Sequence, residues 1–396
     1  MAMADYDKRL VPQLRFEGFT DAWELCRLSS LVDFSNGINA PKEQYGKGRK
    51  MISVMDILTE EPIQYTKIKN SVEVDEMIEQ NYKVENGDLI FVRSSEVVSE
   101  VGWAKAYTDN EYALYSGFSV RGKKKSDFDN YFAELSLNAK GRAQFESKAG
   151  GSTRFNVSQS ILGSINIYCP STAEQTAIGK FFRTLDNLIT SNQRKLEGLK
   201  ELKKGYLQQM FPQAGESVPR VRFNGFTGDW VQCKLGEVCG NFKSGVSITA
   251  SSLYDNGIYP VYGGNGMRGY TDTYTHEGEY VLIGRQGALC GNIKTASGKV
   301  YISEHAIIIS ENERSNIRYL EQLLTKLNLN QYSESSAQPG LSADKLKKIK
   351  IIVPTRAEQA AIGNFFKSLD KQITAQAQKM EKLKQLKSAY LQKMFV

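Results

Sequence analysis

The sequence predicts a mixed α/β protein built twice over: two globular modules, each followed by a long amphipathic helix, the two helices pairing as a coiled coil. Three observations carry this prediction. A short block near the start of the chain returns in its middle, a helical block of about 42 residues occurs twice, and the stretches between these blocks alternate short β-rich runs with helical ones. Self-similarity at this scale marks a repeated architecture.

The short block runs Pro12-Gln13-Leu14-Arg15-Phe16-Glu17-Gly18-Phe19-Thr20-Asp21-Ala22-Trp23 and returns as Pro219-Arg220-Val221-Arg222-Phe223-Asn224-Gly225-Phe226-Thr227-Gly228-Asp229-Trp230, with Cys26 and Cys233 also in step. The module it opens carries a β-rich run Asp88-Leu89-Ile90-Phe91-Val92, a helical stretch at 129–145 and a last strand Ile165-Asn166-Ile167-Tyr168. The second module repeats the plan with Glu279-Tyr280-Val281-Leu282-Ile283, Ala306-Ile307-Ile308-Ile309, a helical stretch at 316–332 and Ile349-Lys350-Ile351-Ile352-Val353. Gly and Asn turn signals bound these runs. Residues 32–169 and 239–353 are otherwise little alike, so similar ends bracket dissimilar modules. The expected domains are modules at 1–169 and 212–353 and helices at 170–211 and 354–396.

The helical block starts at Pro170-Ser171-Thr172-Ala173-Glu174-Gln175 and again at Pro354-Thr355-Arg356-Ala357-Glu358-Gln359, with about 24 of 42 positions identical. A proline just upstream suits a helix start. Apolar residues then follow a 4-3 spacing, the pattern of a coiled-coil seam. In the first copy the seam is Ile178, Phe182, Leu185, Ile189, Leu196, Leu199, Tyr206 and Met210; in the second it is Ile362, Phe366, Leu369, Ile373, Met380, Leu383, Tyr390 and Met394. A helix of about 36 residues would be about 54 Å long. Its stripe is too narrow for a globular core helix and needs a partner, for which the other copy is the candidate. Polar residues interrupt both seams at matched places, Asn192 and Lys203 against Gln376 and Lys387. Such interruptions weaken a coil and fix its register.

At 396 residues, with 41% hydrophobic and 24% charged residues, the chain has the make-up of a folded globular protein rather than a disordered or membrane one. The start has neither a signal-peptide nor a transit-peptide pattern, and the expected location is cytoplasmic. Five scattered cysteines without a CxxC pair argue against a disulfide framework and a zinc site. A net charge of +7 favours a polyanionic partner such as nucleic acid.

Polar side chains on loops of a rigid scaffold are the candidates for reading base edges. In the first module these are Lys42, Lys47, Arg49 and Lys50 in a Gly-rich stretch, Arg93, Ser94 and Ser95 after a strand, and Arg154 and Asn156. In the second they are Asn265, Met267 and Arg268 in a Gly-rich stretch, Arg285 and Gln286 after a strand, His305 and Gln338. Any one of them taken singly is an ordinary solvated turn residue; their clustering is what points to DNA. The 263–269 stretch lacks the Lys-Ser/Thr of a phosphate loop, and Lys123-Lys124-Lys125 reads as a solvated turn. With only His276 and His305, there is no basis for a histidine metal site or a His-dependent triad. No Pro-Pro and no Gly-Lys-Ser/Thr occurs, which removes the motifs of an amino-methyltransferase and a P-loop NTPase. No catalytic or metal-binding residue is expected.

The paired Arg-Phe-x-Gly-Phe-x-x-x-Trp blocks, the paired Pro-x-x-x-Glu-Gln-x-x-Ile-Gly-x-Phe-Phe helices and the Gly-Gly-Asn-Gly…Leu-Ile-Gly-Arg-Gln-Gly stretch resemble the specificity (S) subunit of type I restriction-modification enzymes. The resemblance covers nearly the whole chain. It implies two target recognition domains, each binding one half of a split double-stranded DNA target, with the helices packed as an antiparallel coiled coil and pseudo-two-fold symmetry, each module lying near the helix end of the other half. It further implies that two methylation (M) subunits dock on the helices, that restriction-translocase (R) subunits join them, and that S-adenosylmethionine, ATP and Mg2+ belong to those partners. The competing reading is a bivalent protein-binding adaptor on a coiled-coil strut, which the salt dependence of DNA binding separates from a DNA reader.

Overall fold

The computed structural model describes residues 10–333 and 340–396. Two long helices dominate it, Thr172–Gln209 of 38 residues and Arg356–Met394 of 39. The chain divides into two compact units, and the cuts fall inside both helices: one unit runs to Gln193 and adds Lys379–Val396, while the other is Arg194–Gln378. Each unit therefore combines one module with a stretch of both helices.

In the first unit, strands β1 (Glu24–Arg27) and β11 (Asn166–Cys169) pair antiparallel and hold the module's two ends together. A four-stranded sheet has the order β2 (Val32–Asn36), β9 (Ser119–Lys124), β5 (Leu89–Val92), β7 (Ala104–Ala106). A three-stranded sheet joins β4 (Ser71–Val72), β3 (Tyr45–Ile52) and β8 (Leu114–Tyr115), and the short β6 (Ser94–Ser95) pairs with β10 (Phe155–Asn156). All four residues of β5 are buried, as suits a central strand covered on both faces. The helical stretch expected at 129–145 is two helices, Asn130–Asn138 and Arg142–Lys148. Ala139 leaves the helical region, and Gly141 passes so close to the carbonyl of Leu137 that a Cβ would sit 2.9 Å from it. The Lys123-Lys124-Lys125 run is exposed but lies at the end of β9 rather than in a turn, with Lys125 paired to Asp33 at 2.9 Å.

In the second unit, β12 (Val231–Lys234) and β19 (Lys350–Val353) make the matching end-to-end pair. A six-stranded sheet runs β13 (Phe242–Ser244), β18 (Ala306–Ile309), β16 (His276–Gly284), β17 (Ile293–Ile302), β14 (Tyr259–Gly263), β15 (Gly266–Thr271). The helical stretch expected at 316–332 is a helix, Ile317–Lys326, and a single 3-10 turn, Leu329–Tyr332, separated by Asn328 in the left-handed region at φ 47°.

The helix seams are buried or half-buried at all sixteen expected positions. Their ends, however, belong to the module cores. Ile178, Phe182 and Met394 join Trp23 and Phe132 in one core, and Met210, Ile362 and Phe366 join Trp230 and Tyr319 in the other. Within the first unit the helices run antiparallel: Phe181 meets Tyr390 edge-on at 5.0 Å between ring centroids, and Asp186 pairs with Lys387 at 2.6 Å. The second unit repeats this with Tyr206 against Phe365 at 4.9 Å and Lys203 to Asp370 at 2.6 Å. The lysine interruptions of the seam are thus interhelical ion pairs. Asn192 and Gln376 are buried, as positions within the seam.

Candidate nucleic-acid interface

Two features recur in both units, a buried clamp at the base of each module and a strand-turn frame at its tip. The clamp comes from the two sequence blocks. Arg15 donates from Nε and Nη2 to the two carboxylate oxygens of Glu174, both at 2.7 Å, and Arg222 does the same to Glu358 at 2.7 and 2.8 Å. Both glutamates are 1% exposed. These hydrogen bonds raise the guanidinium pKa at both arginines, and the fork geometry is the strong form of a charge-assisted pair. Gln175 and Gln359 add a second matched contact, accepting from the backbone N–H of Asp129 and Asn316 respectively, the residues that cap the next helix of each module. One apparatus therefore ties the entry block, the long helix and the module helix together in each unit.

At the tip, the residue after the central strand is an arginine in both modules, and its backbone is held alike. The Arg93 N–H donates to the carbonyl of Phe118 at 2.8 Å, and the Arg93 carbonyl accepts from Val157 at 3.0 Å. The Arg285 N–H donates to His305 at 3.0 Å, and its carbonyl accepts from Leu341 at 2.9 Å. Antiparallel bridges follow at once, Ser94 with Asn156 and Gln286 with Gly340. Gly37 and Gly245 complete the frame, because a Cβ would lie 2.1 Å from the Ser116 carbonyl oxygen in one and 2.3 Å from that of Ile302 in the other. No larger residue fits either place.

The first module gathers Arg93, Ser94, Ser95, Arg154 and Asn156 at this tip. The Arg93 guanidinium donates to the Gly117 carbonyl at 3.3 Å, and Arg154 donates from Nε to the Ser94 hydroxyl at 2.9 Å. The Ser95 hydroxyl is used internally, 2.5 Å from Glu100, and the Asn156 amide reaches the Arg154 carbonyl. The Gly-rich stretch is not a loop. Lys42 opens a 3-10 turn, Lys42–Gln44, and Lys47, Arg49 and Lys50 lie on β3. Lys42 is exposed, Lys50 half-buried, and Lys47 pairs on the surface with Glu73. Arg49 is turned inward: it meets Glu79 at 3.0 Å, Glu111 at 3.1 Å and the Tyr112 hydroxyl at 2.8 Å. Burial opposes its charge, but hydrogen bonds to Tyr65 and Glu79 outweigh this and raise its pKa. Those partners occupy the donors a base would need.

The second module gathers Asn265, Arg268, Arg285, Gln286 and His305. Residues 263–266 are a hairpin in which Gly263 faces Gly266 across the two-residue turn Gly264-Asn265, with Gly266 at φ +103°. Gly264 packs on the His305 carbonyl and Gly284, Asn265 accepts from Asn292 at 2.9 Å, and the Arg268 stem covers Gly263. Met267 is exposed on β15, and His305 is exposed with Nε2 3.5 Å from Glu304. Gln338 lies outside the described residues. Phe118, which sequence reasoning passed over, is 53% exposed at the first tip, with the Arg154 guanidinium 5.2 Å from its ring centroid.

Among the described residues no cluster of three or more His, Cys, Asp or Glu side chains is placed to hold a metal ion, and no helix is long and apolar enough to cross a membrane.

Residues 20–201 and 227–385 match the family described as the type I restriction modification DNA specificity domain. Over 147 residues the chain is 44% identical to the type I restriction enzyme EcoprrI specificity subunit of Escherichia coli, an alignment covering 35% of this chain and 36% of that one. The chain thus spans about a third of that relative. Similarity to the MjaVIII specificity subunit of Methanocaldococcus jannaschii is 25% over 296 residues, or 67% and 69% of the two chains. Among solved structures, the S subunit of a type I restriction-modification system from M. genitalium shares the fold with a TM-score of 0.70 and 18% identity, covering 98% of this chain and 99% of that one.

Proposed function

Because the chain belongs to the type I restriction-modification DNA specificity family, we propose that it is the subunit that sets the DNA target of such an enzyme, each module reading one half of a bipartite duplex site. DNA sequence specificity is the family's role. What supports the finer reading is the paired tip: one backbone frame, built twice, presents Arg93 and Arg154 in one module, with Ser94 buried beneath them as the acceptor for Arg154, and Arg285, Gln286 and His305 in the other. The same scaffold with different side chains is what two different half-sites require, since arginine, asparagine and glutamine read bases through their edges.

In this account the chain catalyses nothing. Two M subunits docked on the helices methylate adenines, R subunits cleave, and S-adenosylmethionine, ATP and Mg2+ are bound by those partners. The long helices set the gap between half-sites. The test is selection of bound duplexes from a randomised pool, followed by affinity against salt. A DNA reader returns a split motif and a log–log salt slope of several units. A protein adaptor returns no motif and a flat slope.

A further inference from the structure

We propose that Phe118 and His305 are the matched base-reading positions of the two modules, Phe118 packing on a thymine methyl group and His305 hydrogen-bonding the N7 edge of a purine. This rests on the reading of the chain as a bipartite DNA reader. It adds which side chains read and what they read.

Four backbone contacts place the two residues at the same station. Their carbonyls accept from Arg93 and Arg285, at 2.8 and 3.0 Å. The next residues, Ser119 and Ala306, accept from Gly37 and Gly245 at 3.2 and 3.1 Å. Three residues earlier, Tyr115 and Ile302 accept from Ile38 and Val246, both at 2.9 Å. Finally, residues 38 and 246 form parallel bridges with Ser116 and Ser303. A turn held this way from both sides is a rigid presenter, as a reading side chain needs. Asn39 fills the space beside Gly117, where a Cβ would come 1.9 Å from its Oδ1, so the turn before Phe118 is closed as well.

The side chains at this station differ in kind. A single exposed apolar residue is unremarkable on a protein surface. Phe118, however, stands between two cations, with the Arg154 guanidinium 5.2 Å from its ring centroid and Arg93 bound to the adjoining carbonyl. Those cations suit the polar edges of bases, and they leave one apolar surface between them. On a duplex edge the apolar feature that such a surface recognises is the thymine C5-methyl. His305, whose carbonyl packs on Gly264 and accepts from Arg285, is instead an exposed imidazole with Nε2 3.5 Å from Glu304, and it offers a ring N–H, which suits the acceptor N7.

The experiment uses the full chain co-expressed with its methylation partner and the duplex that it selects. Each thymine is replaced in turn by deoxyuridine, which lacks only the methyl group, and each purine by its 7-deaza analogue. One thymine in one half-site should lose about fourfold in affinity as uracil, the size of one buried methyl, and this penalty should vanish in Phe118→Ala, persist in part in Phe118→Leu and be untouched in His305→Ala. One purine in the other half-site should lose about fivefold on 7-deaza substitution, a penalty removed only by His305→Ala. Unchanged thermal midpoints in these variants exclude a folding effect. If a split target is selected but neither penalty depends on residue 118 or 305, the assignment is overturned while the bipartite reading stands. If no sequence is selected at all, the bipartite reading itself falls.

Discussion

Replacing Arg222 with methionine keeps the aliphatic stem and removes the charge from a buried fork. Both oxygens of Glu358, a side chain 1% exposed, are bound by this one guanidinium at 2.7 and 2.8 Å. Arg222 also donates to the carbonyls of Gly228 at 2.8 Å and Thr227 at 3.2 Å, so the same substitution frees the entry block. Stranding a buried carboxylate costs about 3–5 kcal/mol. With a urea m-value of about 2–3 kcal/mol/M for a unit of this size, the midpoint should fall by about 1–2.5 M. Trp230, in the same core, reports the transition by its fluorescence. Adding Glu358→Gln should recover most of the loss. By contrast, Lys47→Met breaks a surface pair whose side chains are 57% and 58% exposed and should cost under about 1 kcal/mol. If Arg222→Met were no more costly than Lys47→Met, the clamp would not be what holds the module to the helix.

Arg49→Ala should destabilise the first module and leave the salt slope of DNA binding unchanged, since its partners are Glu79, Glu111 and Tyr112; Arg268→Ala, at an exposed residue, should lower that slope by about 1 without affecting the thermal midpoint. Burial and then Asp370 raise the Glu321 pKa above its unfolded value. Its contribution to stability is therefore greatest below the unfolded pKa and falls as pH rises through the folded one, so Glu321→Gln should be more stable than wild type at neutral pH and equal to it near pH 3 in thermal melts. Inserting one heptad into each long helix adds about 10.5 Å, or about three base pairs at roughly 3.4 Å each; sequencing of methylated sites should show the gap lengthened by that amount with both half-sites intact.

The long helices were legible because their 4-3 spacing is local and the two copies vouch for each other. The clamp was not, although Arg15 and Glu174 both lie inside the repeated blocks, because their pairing spans 159 residues and only the fold brings them together. The 4-3 spacing shows the seam as apolar but does not separate its middle from its ends, where Phe182 and Phe366 also enter the module cores; periodicity reports that a face is buried and not against what. Arg49 read as a loop cation because glycines surround it in sequence, and its acidic and tyrosine partners lie 16 to 63 residues away. Phe118 is, in sequence, only a lone aromatic between Gly117 and Ser119. Its exposure and its equivalence to His305 exist only once the two tips are compared as backbones.

Whether two modules on one frame read two half-sites is decided by replacing residues 32–165 with the corresponding segment of a relative that has a different target, and determining the methylated sequence in cells that carry the chimera with its methylation partner. One half-site should change to the donor's while the other half-site and the gap between them stay as they were. A change in both half-sites, or in neither, would contradict the two-module reading.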